Sequence, residues 1–165
     1  MSPWRPRLLL LALAIAASAG CTTPVDLTKG IQILEVYTGW YDAGIATGRN
    51  KLVPSITFKL KNLSDRKLPV VQVMASFKRV SGPDEWRDGA TDFRQIVGSE
   101  SLTPGQTTPP VTLRSPLGYT GTDPRHQMLQ NKSFVDARAD LFVKYGSSEW
   151  TRVGEYSVER RLITQ

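Results

Sequence analysis

An all-β chain folded as an antiparallel β-sandwich of about seven strands, with one short helix in a long loop, is the architecture this sequence predicts. Three observations carry it. Apolar residues recur at every second position over several segments, and turn residues punctuate the chain roughly every ten residues. Past the first twenty residues, no stretch repeats apolar residues at helical spacing for more than about two turns.

Ile31, Ile33 and the aromatic stretch to Tyr37 form the first strand. Pro54 to Asn62 sets Ile56, Phe58 and Leu60 against Thr57, Lys59 and Lys61, one face toward a core and one toward water. Turn residues from Asn62 to Lys67 then lead to Val71, Val73, Ala75 and Phe77, so the two strands read as a hairpin. Thr91 to Val97 and Thr108 to Arg114 are weaker strands, and Pro109 and Pro110, which cannot donate to a ladder, confine the latter to an edge or bulge. Ser115 to Ser133 is the one long irregular stretch; Asp123-Pro124 suits a helix entry, which predicts a helix over Pro124 to Gln130. Phe134 to Tyr145 and Trp150 to Ile163 flank Gly146 to Glu149 as a terminal hairpin, with Ala139 expected opposite Tyr156 and Ala137 opposite Val158.

Residues 1–20 carry two arginines and no acid, so the remainder holds 19 basic against 15 acidic side chains. A short basic segment, the uninterrupted apolar run from Leu8 to Ala17, and the small residues Ser18, Ala19 and Gly20 before Cys21 have the order of a secretory leader. The apolar run is half of the ~20 residues a spanning helix needs. Ser18-Ala19-Gly20-Cys21 resembles the lipobox of bacterial lipoproteins. That resemblance implies cleavage between Gly20 and Cys21, acylation of Cys21, and a body held on a membrane by acyl chains. Thr22, where Asp would imply inner-membrane retention, points to the inner leaflet of the outer membrane, facing the periplasm. The expected organisation is a signal peptide over 1–20, a lipidated tether over 21–30 and a β-sandwich over 31–165.

Cys21 is the only cysteine and His126 the only histidine, so no thiol remains for a disulfide and no metal cluster is expected. His126 reads as a surface residue. Ser99, Ser101 and Ser115 lie in polar turns outside any nucleophile elbow. Asp84, Glu85, Asp88 and Asp92 are clustered enough to consider a carboxylate pair, yet their spacing matches no calcium loop. No phosphate loop or dinucleotide fingerprint is present, so no cofactor is expected. Export and the lack of a recognition motif argue against nucleic acid. Lys59, Lys61 and neighbouring basic residues are a candidate surface for anionic headgroups or an acidic partner. Asn62-Leu-Ser64 and Asn131-Lys-Ser133 read as turn chemistry. Trp40, Tyr41, Trp86 and Trp150 are expected to plug the ends of the sandwich, the other reading being an aromatic recognition patch. The candidate binding loop is the long irregular stretch, represented by Leu117, Tyr119, Arg125 and Met128.

Residues 56–82, with Ser64-Asp65, Leu68 to Phe77 and the later Leu102-Thr-Pro-Gly105, resemble the FxLYD-type immunoglobulin-like domains of bacterial envelope lipoproteins. Lys78-Arg79-Val80 stands where that family has Leu-Tyr-Asp. The resemblance implies an immunoglobulin-like sandwich and no catalysis. The expected function is a lipid-anchored, non-catalytic binding or assembly module with an envelope protein as partner. Two other readings are a lipoprotein subunit of a trans-envelope secretion machine and a cell-wall glycan hydrolase using Asp or Glu.

Overall fold

The computed structural model describes residues 23–80, 90–95 and 101–163. They form an all-β sandwich of two sheets. In the first, β1 (Ile31–Ala46) and β2 (Arg49–Asn62) make one long antiparallel hairpin. The other edge of β2 carries β5 (Val111–Arg114) and β6 (Tyr119–Gly121) on successive stretches, and β9 (Leu162–Ile163) runs parallel to β1. The second sheet has the order β4 (Ala90–Gln95), β3 (Val71–Arg79), β7 (Ala137–Tyr145), β8 (Thr151–Ser157), antiparallel throughout. Two single-turn helices, α1 (Leu27–Gly30) and α2 (Arg125–Met128), complete it.

The core lies where the alternation placed it. Val71, Val73, Ala75 and Phe77 from β3 and Ala139, Leu141 and Val143 from β7 face Ile56, Phe58 and Leu60 from β2, and all are fully buried. Each large aliphatic or aromatic side chain so removed from water contributes about 1.5–3 kcal/mol. In the terminal hairpin Ala139 stands opposite Tyr156, as expected, and the Val158 amide donates to the Ala137 carbonyl at 2.8 Å.

The expected hairpin of β2 with β3 is not formed: the two strands lie in different sheets. Each has one apolar face, and such a strand can equally pair with its neighbour or face it across the core. Asn62 decides between these. Its buried side-chain amide donates to the carbonyls of Arg66 and Leu102 at 2.8 and 2.9 Å, folding the turn so that the chain crosses to the other layer. Ser64 donates back to Asn62 Oδ1 at 2.7 Å, the turn chemistry expected there.

β1 runs nine residues past the expected Tyr37 because two bulges break its period. Ile31 and Ile33 share the inward parity with Asn62 and Leu60, but one extra residue between Leu34 and Tyr37 moves the inward parity to Thr38 and Trp40. Glu35 sits in this bulge at φ 50°. A second bulge lies between Asp42 and Ile45, with Gly44 at φ 81°. Thr47 and Gly48, at φ 50° and 75°, then close the two-residue turn into β2. Pro54, the expected strand start, lies inside β2. Its carbonyl accepts from Ser115 at 2.9 Å, so its missing N–H points into the gap between β5 and β6, where no ladder bond is lost.

Further differences follow from local chemistry. Among the described residues nine strands replace about seven, because β6 lies within the irregular stretch and the last strand divides into β8 and β9 on different sheets. Pro109 and Pro110 precede β5, which is an edge strand as expected. The helix is shorter than expected and is entered at Pro124 without a side-chain cap; the Asp123 carboxylate accepts from Asn131 at 3.3 Å instead. The expected tether over 21–30 is docked from Val25 onward: its amide donates to the Tyr145 hydroxyl at 2.7 Å, Asp26 caps α1, and Leu27 is buried.

Candidate functional site

β1 and β2 give the sandwich two ends. Ile31 and Asn62 mark the end where the chain enters, and Asn50, twelve positions along β2, marks the other. At a rise of about 3.3 Å per residue these ends lie ~40 Å apart. The candidate binding loop, Ser115 to Ser133, continues through Phe134 and Val135, and this 115–135 segment folds over the far end as a platform.

It is fastened to β2 along its length. The Ser115 hydroxyl accepts from the Leu117 amide at 3.1 Å, and Lys51 Nζ donates to the Pro116 carbonyl at 2.9 Å. Gly118 passes so close to β2 that a Cβ there would stand 2.1 Å from the Leu52 carbonyl oxygen, so only glycine fits. Tyr119 to Gly121 then pair with Leu52 to Asn50, and the Asn50 side chain donates to the Asp123 carbonyl at 2.9 Å.

Phe134 joins the platform to the core. Its ring meets Trp40 edge-on at 4.5 Å between centroids and Tyr119 at 4.9 Å, within the range where aromatic pairs attract. The Arg160 guanidinium lies 5.3 Å from the same ring and donates through Nε and Nη2 to the two Asp136 oxygens at 2.6 and 3.1 Å. That fork holds the Asp136 carboxyl below its ordinary range and raises Arg160. Arg125 forms an ion pair with Asp42 of β1; the hydrogen bond from Arg125 lowers the Asp42 pKa. A cavity of about 30 Å³, large enough for one water, lies between Trp40, Arg79, Gly118, Tyr119, Val135 and Ala137.

The four candidate residues therefore differ in setting. Leu117 is 49% exposed at the rim, and Tyr119 is half-buried on Phe134. Arg125 is bound to β1 through Asp42. Met128 is fully buried and belongs to the core rather than to a contact surface. His126 is exposed on α2. Trp40 is buried, as a plug should be, while Trp150 is half-buried beside the Lys144 ammonium at 5.0 Å. Asp84, Glu85, Asp88 and Trp86 lie outside the described residues, as do Ser99, Cys21 and Gly20; Asp92 stands opposite Ala75 in β4. Asp42, Phe134 and Arg160 were missed in sequence because their roles depend on which strands meet.

Lys59, one member of the expected basic patch, is paired with Glu35 at 2.6 Å. On the outer face of the second sheet, Asp140 is buried between Lys78 at 2.9 Å and Arg152 at 2.7 Å. Burial pushes its carboxyl up, but the hydrogen bonds from Arg152 and Lys78 outweigh that and hold it below the ordinary range.

An open groove of about 660 Å³ occupies the chain-entry end, between Thr23 to Asp26, Lys29 and Gly30 on one side and Leu63 to Arg66 on the other. The Arg66 guanidinium donates to the Thr23 carbonyl across it.

Fold and site together define a two-sheet β-sandwich with an ordered loop platform at one end and the incoming chain docked at the other. No family model matches this chain, and no curated protein matches it. Among solved structures, the "X-ray structure of Northeast Structural Genomics Consortium target SoR45" is similar at 14% identity over 80% of this chain and 88% of that chain, with a TM-score of 0.44.

Proposed function

We propose that this chain is a lipid-anchored envelope protein acting as a non-catalytic binding or assembly module. It is cut between Gly20 and Cys21, acylated at Cys21, and held on the periplasmic face of the outer membrane. The single observation that supports this most is the order of a basic segment, the apolar run from Leu8 to Ala17, and Ser18-Ala19-Gly20 before Cys21. The immunoglobulin-like resemblance agrees with a binding role. An envelope protein is the partner, and the 115–135 platform, at the far end of the strands from the chain entry, is the surface offered to it. A subunit of a trans-envelope secretion machine is a special case of the same role.

Two measurements test this. Intact mass of the purified chain should show cleavage before Cys21 and an acylated thiol, and Cys21→Ser should release the protein from membranes; an unmodified thiol would end the anchoring. Crosslinking in intact cells should recover an envelope partner that is lost with Leu117→Asp. An unchanged partner set with that variant would remove the platform from the proposal.

A further inference from the structure

From the geometry of the chain entry we infer that the sandwich stands end-on against the lipid surface, with the turn at Leu63 to Lys67 in the headgroup layer and the 115–135 platform pointing away. This rests on the acylation of Cys21 proposed above. The occupant of the groove end is the interfacial layer of the bilayer to which Cys21 is attached.

The argument is one of reach. A free tether of ten residues would let the domain wander by roughly 17 Å. Here the chain is fixed almost at once: Arg66 holds the Thr23 carbonyl, Tyr145 holds the Val25 amide at 2.7 Å, and Leu27 is 3% exposed. Two peptide links separate Cys21 from Thr23, a span of at most ~7 Å. The headgroup layer of one leaflet is itself only ~5–8 Å deep. Acyl chains on Cys21 thus bring the groove rim to the membrane without any further attraction.

The rim suits that position. Leu63 is 52% exposed beside Asn62, an apolar side chain able to enter the interface. The Lys29 side chain is 88% exposed, and Lys67 is also exposed. The Lys29 ammonium lies 3.8 Å from the exposed Asp26 carboxylate, a weak surface pair that an anionic headgroup can replace, and Lys67 also reaches the headgroup layer. The turn at Thr103 to Gln106 lies at the same end, since the Asn62 amide donates to Gln106 at 3.0 Å. So does the turn after Tyr145, since the Gly146 amide donates to Pro69 at 2.8 Å.

The test uses the full chain and the fact that Cys21 is its only cysteine. Asp65→Cys at the groove end and Ile45→Cys near the far hairpin tip, both exposed positions, are each labelled with a thiol-reactive fluorophore. The protein is placed in phosphatidylethanolamine and phosphatidylglycerol vesicles carrying a headgroup nitroxide. Because the headgroup layer is so thin, fluorescence at position 65 should fall about twofold while that at 45 stays unchanged. Flotation with equal quenching at both positions would overturn the end-on orientation and leave the anchor standing. Two labels per chain without flotation would overturn the anchor, and the orientation with it. A ten-residue Gly/Ser insertion after Thr22 should abolish the quenching at 65; unchanged quenching there would overturn the short span as its cause.

Discussion

The amide of Val25 donates to the phenolic oxygen of Tyr145 at 2.7 Å, a bond between residues 120 positions apart. It ties the incoming segment to the end of β7, and so to the second sheet, while α1 leads directly into β1 of the first. Tyr145→Phe keeps the ring and removes the acceptor. Loss of one such bond costs about 0.5–1.5 kcal/mol. The expected result is faster hydrogen exchange at Val25 and quicker proteolysis between Thr23 and Leu27, with the β7 amides unchanged. Equal protection in both proteins would show that the Arg66 bond to Thr23 and the burial of Leu27 hold the segment without Tyr145.

Asp140 makes stability depend on acid. Its folded pKa lies below the ordinary value of 3.8, so its pairing with Lys78 and Arg152 stabilises the fold fully above that value. The contribution is lost as pH falls through the lower, folded value. Arg152 also meets Glu155, and Arg138 lies 3.8 Å from Glu155, so this face is a network. Asp140→Asn should cost about 1–3 kcal/mol at neutral pH in chemical denaturation. The gap between the two proteins should close as pH falls through the lowered, folded pKa of Asp140; a constant gap across the acid range would place the cost in packing.

Gly118 should be intolerant of any side chain. An added Cβ would meet backbone at 2.1 Å, which no rotamer change relieves. Gly118→Ala should cost about 1–3 kcal/mol and raise exchange over Tyr119 to Gly121. Gly48→Ala has open space around it and strain only from φ 75°, so it should cost about 1 kcal/mol and leave the platform protected. Equal effects of the two would contradict the close approach to β2.

Arg160 is held by shape as much as by charge. Its fork meets both Asp136 oxygens, and its guanidinium lies beside Phe134. Arg160→Lys keeps the charge and loses the second contact. It should increase cleavage within 115–135 under limited proteolysis. If lysine protects that segment as well as arginine does, charge alone suffices.

Thr47 is a β-branched residue at φ 50° in a two-residue hairpin turn, a position that asparagine occupies more readily. Thr47→Asn should stabilise by up to ~1 kcal/mol, read as a higher midpoint in denaturant. The loss of the Thr47 hydroxyl bond to the Ala46 carbonyl, 2.7 Å, is the opposing effect, and a lower midpoint would show that it dominates.

How much of this was legible depended on whether a signal was local. Val71 to Phe77 and Ala137 to Val143 announced their buried faces because a half-buried strand has period two whatever it pairs with. Ala139 does stand opposite Tyr156, but the loop alone does not fix that pair: Val143 opposite Thr151 sets a register one residue away, and a bulge between Leu141 and Phe142, which no loop length announces, restores the expected one. β1 was cut short because two bulges reverse its parity, and a shifted period looks like no period. The pairing of β2 with β3 was misread because alternation records which side is buried and not which strand covers it. At the candidate site, Leu117 and Tyr119 were found by loop composition, whereas Phe134 reads as the start of a strand and Arg160 as one more surface cation.

By itself, then, the sequence determined the strand faces, most of the turns and an all-β architecture, since these follow from side-chain polarity and backbone preference within a few neighbours. The tertiary structure alone decided which strands share a sheet, that the segment after Thr23 is docked, and that the 115–135 loop is a fastened platform. Those outcomes rest on single bonds between distant residues, Val25 with Tyr145, Asn62 with Leu102 and Arg160 with Asp136, whose partners are chosen only when the layers close.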